Sequence, residues 1–259
     1  MKVTVLGSCA AWPEPGRACS GYLVEHDGFR LVLDLGFATL PRLLEHCPGG
    51  AVDAVVVTHR HSDHCVDLNG LLRVRHYGER TLPRIPLLCP AGAAAVVDGL
   101  EPRPRLAELF DLAELPGSHQ VGPFRVEGVE LPHHVPNAGV RLTVTDRTVA
   151  ERTSADRTLA YTGDTGPDPR LAELGADADL YIMEATLQAV PAPGEPRHLL
   201  TATEAGEWAE QAGARRLLLT HFWPGSDRDL SLRQAAAAYS GELLAADEGL
   251  VVDLSSSRR

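Results

Sequence analysis

Between residues 56 and 64 the chain reads VVTHRHSDH, so His59, His61, Asp63 and His64 fall within six positions behind a run of β-branched residues. Neutral imidazole and carboxylate are suitable ligands for Zn²⁺, Mn²⁺ or Fe²⁺, and no thiolate is needed. A strand alternates its side chains between two faces, whereas the loop leaving it can turn several toward one point. A solvated polar loop would account for one histidine. It is a poor account of three with an aspartate at this density.

Four ligands in one loop are not yet a site. Three further segments supply what the loop lacks: LPHHVPNAG offers His133 and His134, YTGDTG offers Asp164, and LLLTHFWP offers His221. Each follows an apolar run that reads as a strand. Any one of these residues alone would more often be structural, so the inference rests on their joint placement at strand ends.

The elements that must position them are legible in outline. KVTVL reads as a strand, and YLVE and RLVLD flank His26-Asp27-Gly28, where Asp-Gly signals a hairpin turn. Residues 53–58 (DAVVVT) read as a strand buried on both faces. Leu68 to Tyr77 and Pro90 to Leu100 read as helices, then FRVEGVEL, VRLTVT and TLAYTG as successive strands. In the last third PRLAEL is a short helix, DLYIME a strand, RRLLLT a strand, LRQAAAAY a helix and LVVDL a final strand. Thr201 and Glu204 stand at capping-box spacing before a helix that Gly213 ends. The tail SSSRR is expected to fray. Hairpins come first and strands later alternate with helices, in both halves of the chain. This predicts an α/β (α+β) fold of two mixed sheets packed together with helices outside, in one domain spanning 1–259.

The bulk numbers narrow the function. Hydrophobic residues are 44% and charged residues 23% of the 259, an ordinary globular balance. A net charge of −11 disfavours broad attraction to nucleic acid or anionic membrane. Cysteines at 9, 19, 47, 65 and 89 form no CxxC pair, which suits a reducing cytosol. The opening MKVTVLG reads as a strand and not a signal peptide, and no stretch approaches the ~20 apolar residues of a membrane span. The expected location is cytoplasmic.

HxHxDH, a later His, GDT and LTHF, in this order, resemble the metallo-β-lactamase superfamily, from LGSCAAWPEPGRACSGYLVE and DLG through LTHF. The resemblance implies the αββα sandwich with a two-metal cleft at one edge of the sheets. It also implies that His59, His61 and His133 hold one ion, that Asp63, His64 and His221 hold the other, and that Asp164 bridges them. His133 is preferred to His134 because related phosphodiesterases follow the ligand with Val-Pro and then Gly, here Val135, Pro136 and Gly139. Asp34 in VLDLG resembles the family's buried carboxylate, which orients ligands. Zn²⁺ is the expected metal, with Mn²⁺ or Fe²⁺ as alternatives.

YIMEAT, RHLLTATEAGEWAEQAG and RRLLLTHF are similar to phosphodiesterases such as RNase Z. That similarity implies a catalytic His198 with Glu184 as its partner in proton transfer, alongside Asp63. RNase Z itself fits less well: Gly139 to Gly163 leaves room only for a hairpin where that family carries a tRNA-clamping arm, and position 67, usually Gly, is Asp. The entrance WPEPGRACSGYL, with DHCVDL and HLLTATEAG, more closely resembles actinobacterial cyclic-nucleotide phosphodiesterases. The expected substrate is a small phosphodiester such as a 3′,5′-cyclic nucleotide, attacked by a metal-bridged hydroxide. Alternatives are tRNA 3′-end processing and lactone or thioester hydrolysis on the same metals, or a non-catalytic binding role. Extended nucleic acid and membrane are not expected partners; a homodimer is, by analogy. Arg73, Arg75, His76 and Arg80 read as the wet face of a helix or the rim of a substrate entrance. Trp12 and Trp223 read as packing or as a platform for a base.

Overall fold

The computed structural model describes residues 1–148, 153–192, 194 and 196–254. The tip of the hairpin expected within 141–162 and the tail SSSRR fall outside them. In chain order the first half runs β1 (Lys2–Gly7), β2 (Gly21–His26), β3 (Phe29–Leu35), α1 (Thr39–His46), β4 (Ala54–Val56), α2 (Ser62–Cys65), α3 (Asp67–Tyr77), β5 (Ile85–Pro90), α4 (Ala93–Asp98), α5 (Leu106–Leu109) and β6 (Phe110–Leu115). The second half runs β7 (Ser118–Val121), β8 (Phe124–Leu131), β9 (Asn137–Thr148), β10 (Thr153–Tyr161), α6 (Arg170–Leu174), β11 (Leu180–Glu184), α7 (Ala202–Ala212), β12 (Arg216–Thr220), α8 (Arg228–Ala236), β13 (Glu242–Ala245) and β14 (Val251–Asp253).

These strands make two seven-stranded sheets, ordered β14-β1-β2-β3-β4-β5-β6 and β13-β12-β11-β10-β9-β8-β7. Each has an antiparallel part built from hairpins and a parallel part, β3 to β6 and β10 to β13, built through helical crossovers. The alternation of side chains along the strands sorts the core into layers. Tyr22, Val24, Leu31 and Leu33 face Phe124, Val126, Leu142 and Ile182 between the sheets. Leu23, Val32 and Leu35 turn the other way, under Leu43, Leu68 and Leu72 of the helices. Tyr181, Met183, Leu217 and Leu219 do the same beneath α6 to α8. Two sheets with helices on both outer faces are the expected sandwich.

The sequence reading missed β5, β6, β7 and β13, and it opened a helix at Pro90, which instead ends β5. Pro86 and Pro90 argue against a strand because they lack a donor, yet β5 pairs with β4 only at Leu87 and Leu88. β6 carries exposed Asp111 and Glu114 on an edge, and β7 and β13 are short edges, so none shows the burial that marks a strand. The buried strand expected over 53–58 shortens to Ala54–Val56. Arg75 corrects the reading of a wet face. It is buried, and its guanidinium donates to the carbonyls of Gly50 and Pro83.

Local sequence explains the parts nearest the site. Asp27 and Gly28 both have positive φ (48° and 81°), the requirement of a tight hairpin turn between β2 and β3. The capping box at α7 is present, Thr201 Oγ1 accepting from the Glu204 N–H and Glu204 accepting from the Thr201 N–H. Asp67, at the position that departs from the RNase Z pattern, accepts from the Leu40 N–H in the first turn of α1, which has no side-chain cap of its own.

Gly36, after β3, lies so close to the loop that opens α2 that a Cβ there would meet the Asp63 carbonyl oxygen at 1.9 Å. The obstacle is backbone, which cannot rotate away. Gly36→Ala is therefore expected to lower stability by about 1–3 kcal/mol in denaturant unfolding. An unchanged unfolding midpoint would show that the loop does not rest on this glycine.

Candidate metal centre

The candidate ligands stand where strands end. His59, His61, Asp63 and His64 follow β4, His133 follows β8, Asp164 follows β10 and His221 follows β12. They gather into two groups: His59, His61, His133 and Asp164, and Asp63, His64, His221 and Asp164, with the ligand atoms of each group within 4.8 Å of one another. His134 is in neither group; its ring lies on that of His198, 4.0 Å between centroids.

Asp164 belongs to both groups through different atoms. Its Oδ2 lies 3.8 Å from His59 Nε2 and 3.7 Å from His133 Nε2, while its Oδ1 lies 3.2 Å from His64 Nε2 and 3.3 Å from His221 Nε2. His61 Nδ1 is 3.1 Å from both His59 Nε2 and His133 Nε2, and Asp63 Oδ2 is 3.3 Å from His221 Nε2. A tetrahedral ion with bonds of about 2.0–2.1 Å has ligand-to-ligand edges of about 3.3 Å. The observed spacings are close to those edges.

Which nitrogen of each ring faces inward is set by what holds the other. His133 Nδ1 sits 3.0 Å from the His198 carbonyl, which can only accept, so that nitrogen carries the proton and Nε2 presents its lone pair. His64 Nδ1 donates at 2.7 Å to the Asp34 carboxylate with the same result. Two threonines act as relays. Thr58 Oγ1 donates to Asp34 at 2.8 Å and so accepts from His59 Nδ1 at 3.1 Å. Thr186 Oγ1 donates to Glu184 and so accepts from His221 Nδ1 at 2.8 Å. Four Nε2 lone pairs therefore converge, a pattern expected of outer groups that orient metal-binding histidines.

Asp34 is the anchor on one side. Fully buried, it accepts from the Thr58 N–H and Oγ1, from His64 and from the Tyr161 hydroxyl at 2.9 Å. Its φ of 56° and that of His221, also 56°, are left-handed conformations that an L-residue adopts at a cost. Glu184 anchors the other side, accepting from the Thr165 N–H at 2.8 Å and from Thr186. Among the described residues its hydrogen bonds run toward His221, whereas His198 packs on His134. Glu184 and His198, paired in the sequence reading, thus take different neighbours.

The electrostatics of this cluster call for cations. Burial pushes His59 well below the ordinary histidine range, His61 below it, and His133 down to about 4. Burial also opposes protonation of His64 and His221, but Asp164 and its carboxylate neighbours outweigh it and hold both high. Asp63 and Asp164, which burial alone would raise, are kept below the carboxylate range by His64 and His221. Burial and then the charge of Asp164 lift Glu184 to about 8. His64 Nε2 and Asp164 Oδ1 are buried without a hydrogen-bond partner although they face each other. Oriented lone pairs, orphaned polar atoms and an all-nitrogen-and-oxygen donor set fit a pair of divalent ions. The five cysteines are all buried and outside both groups.

Thr58, Thr186, Tyr161 and the Ala11 N–H, which donates to Asp63 Oδ2 at 2.7 Å, were not anticipated. Thr58 and Thr186 each neighbour a named motif, but nothing in their spacing marks them as relays.

Beside the groups lies His198, its ring 6.5 Å from that of His133 and its Nδ1 buried without a partner among the described residues. Burial and neighbouring His134 lower its pKa. A bidentate pair between Arg197 and Glu204 ties this segment to the cap of α7. No helix among the described residues is long and apolar enough to cross a membrane.

Comparison with known proteins agrees with this geometry. Residues 21–222 match the family described as the beta-lactamase superfamily domain. The chain is 30% identical to the probable metallo-hydrolase YhfI of Bacillus subtilis (strain 168) over 97% of its own length and 99% of that protein's. It is also 30% identical to a ribonuclease Z of Myxococcus xanthus (strain DK1622), over 98% of each. The crystal structure of YhfI, a metallo-β-lactamase fold protein, superposes with a TM-score of 0.82 at 27% identity, covering 97% of this chain and 98% of that one. The chain belongs to the metallo-β-lactamase superfamily, and within it to the metal-dependent hydrolases.

Proposed function

We propose that the chain is a dinuclear phosphodiesterase that cleaves a small phosphodiester, with a 3′,5′-cyclic nucleotide as the favoured substrate. The observation that carries this reading is the sharing of Asp164, one oxygen to each of two imidazole-rich groups. His59, His61 and His133 would hold one ion, Asp63, His64 and His221 the other, and Asp164 both, with Zn²⁺ favoured over Mn²⁺ or Fe²⁺ for this donor set. A bound pair of such ions supplies an activated water and neutralises charge on a phosphate.

The chain's own groups do the rest. Asp63 is held in place by the Ala11 N–H, so its Oδ2 stays turned toward His221. Glu184 acts at a distance, fixing His221 through Thr186. His198 is the group left to give a proton to the leaving oxygen: it lies at the rim beside His133, and its carbonyl also orients that ligand. A cleft of about 180 Å³ between His134, His198 and Leu187 gives a small ester group somewhere to lie.

The kinship with a ribonuclease Z supports a second reading, tRNA 3′-end processing. Against it stand the charge of −11 and the hairpin of β9 and β10 where a clamping arm would be needed. Lactone or thioester hydrolysis on the same ions remains a third reading, distinguished by having no need of His198.

Asp164→Ala should reduce bound metal from two equivalents to one or none by elemental analysis; two retained equivalents would refute the bridging assignment. His198→Ala should lower kcat for an aryl phosphodiester by about 10²–10⁴-fold with metal content unchanged. Full turnover by that variant would favour the carbonyl substrates. A panel of aryl phosphodiester, 3′,5′-cyclic nucleotides, precursor tRNA and an acyl lactone, assayed with Zn²⁺ or Mn²⁺, ranks the three readings. Preference for precursor tRNA would displace the small-substrate proposal.

A further inference from the structure

Two tryptophans stand at the other side of the ligand groups, and the function proposed so far leaves them idle. Trp12 and Trp223 are 48% and 45% exposed, and their rings meet edge to face with centroids 5.2 Å apart and planes at 81°. Indoles are costly to leave in water, and an exposed aromatic pair beside a cleft is a more informative feature than a single exposed apolar residue.

Both are fixed to the ligands by backbone. The residue before Trp12 is Ala11, whose N–H donates to Asp63 Oδ2, and Ala11 holds a φ of 55°. Trp223 is two residues after His221. The two segments are stitched together: the Ala10 N–H donates to the Phe222 carbonyl and the Phe222 N–H to the Ser8 carbonyl, both at 2.9 Å. Beyond Trp223 the Gly225 N–H donates at 3.0 Å to Glu14, which follows Trp12 by two residues. The rings are thus carried on stitched backbone, Trp223 two residues from His221 and Trp12 one residue from the Ala11 N–H that holds Asp63.

A cleft of about 500 Å³ opens beside Trp223, lined also by Thr186, Leu187, Gln188 and Ser226. Its volume lies within the ~300–1,000 Å³ typical of small-ligand sites. Thr186 is the residue that orients His221, so the cleft begins where the ligand group ends. Gln188 is clamped by bonds to the Asp227 carbonyl and Ser231 Oγ, which fixes that wall. One wall offers an indole and the others mix polar and apolar groups. An acyl chain needs apolar walls throughout; a flat heteroaromatic ring needs a π-face on one side and tolerates polar groups at its edge.

We propose that Trp223, its ring braced edge to face by Trp12, forms with the cleft beside it the seat for the nucleobase of the substrate. This proposal rests on the phosphodiesterase reading for its substrate class. The seat binds by stacking, so it selects nucleotides over non-aromatic phosphoesters without fixing which base.

The test is a binding titration. Intrinsic fluorescence of the metal-loaded chain would be followed with a nucleoside 5′-monophosphate and with ribose 5-phosphate, in the wild type and in Trp12→Ala, Trp223→Ala and both Trp→Phe variants. Trp208→Phe removes the remaining indole signal. The nucleoside monophosphate should bind about tenfold or more tightly than ribose 5-phosphate. Each alanine variant should lose most of that advantage, the phenylalanine variants should recover much of it, and ribose 5-phosphate should bind all of them alike. Equal affinity for the two probes, or alanine variants that bind the nucleotide as the wild type does, would overturn the seat. Should an alanine variant fail to fold, the phenylalanine variants and the wild-type comparison still decide. Failure of the phosphodiesterase reading shows separately, as absence of aryl phosphodiester turnover by the loaded wild type whether or not the nucleotide stacks.

Discussion

Five imidazoles and two carboxylates from four strand ends are packed so that their ligand atoms point at one another. In the free chain the carboxylates of Asp164 and Asp63 hold the pKa values of His64 and His221 up against burial. Divalent cations suit such a cluster, because they accept the lone pairs and neutralise the carboxylates. The rest of the structure answers to this constraint. It has to hold groups in place that would separate if left to themselves.

The holding is done by hydrogen bonds one layer out. Asp34 and Glu184, at the ends of β3 and β11, serve the two sides of the cluster in the same manner. Each carboxylate takes a threonine hydroxyl proton, and each threonine then has only acceptor capacity left for a histidine Nδ1. The outer nitrogens of His59, His64 and His221 are thereby given acceptors, and their Nε2 atoms are left to face the cluster. Gly36 lets the ligand loop lie against the end of β3, so that His64 can reach Asp34 at all. Sheet, turn and hydrogen bond act on one geometry.

Around this centre the chain offers two unlike surroundings. On the His133 side are His134 and His198, groups able to move a proton; on the His221 side are the tryptophans and a larger cleft. Leu187 borders both clefts. The net charge of −11 offers no broad attraction to a polyanion.

By itself the sequence marked the candidate ligands, their order and their attachment to strand ends. Those are local facts: apolar runs name the strands, and the histidines and aspartates follow them closely. It also determined the two-sheet plan, because hairpin signals and later helix–strand alternation repeat in each half. Only the tertiary structure decided that Asp164 faces both groups with different oxygens, that Glu184 reaches His221 through Thr186 and not His198, and that Trp12 meets Trp223. Edge strands such as β6 and β13, and the buried guanidinium of Arg75, were equally out of reach. The physical reason is common to these cases. Each depends on a partner distant in the chain, a neighbouring strand or the group a side chain meets, and periodicity and spacing carry no information about that partner.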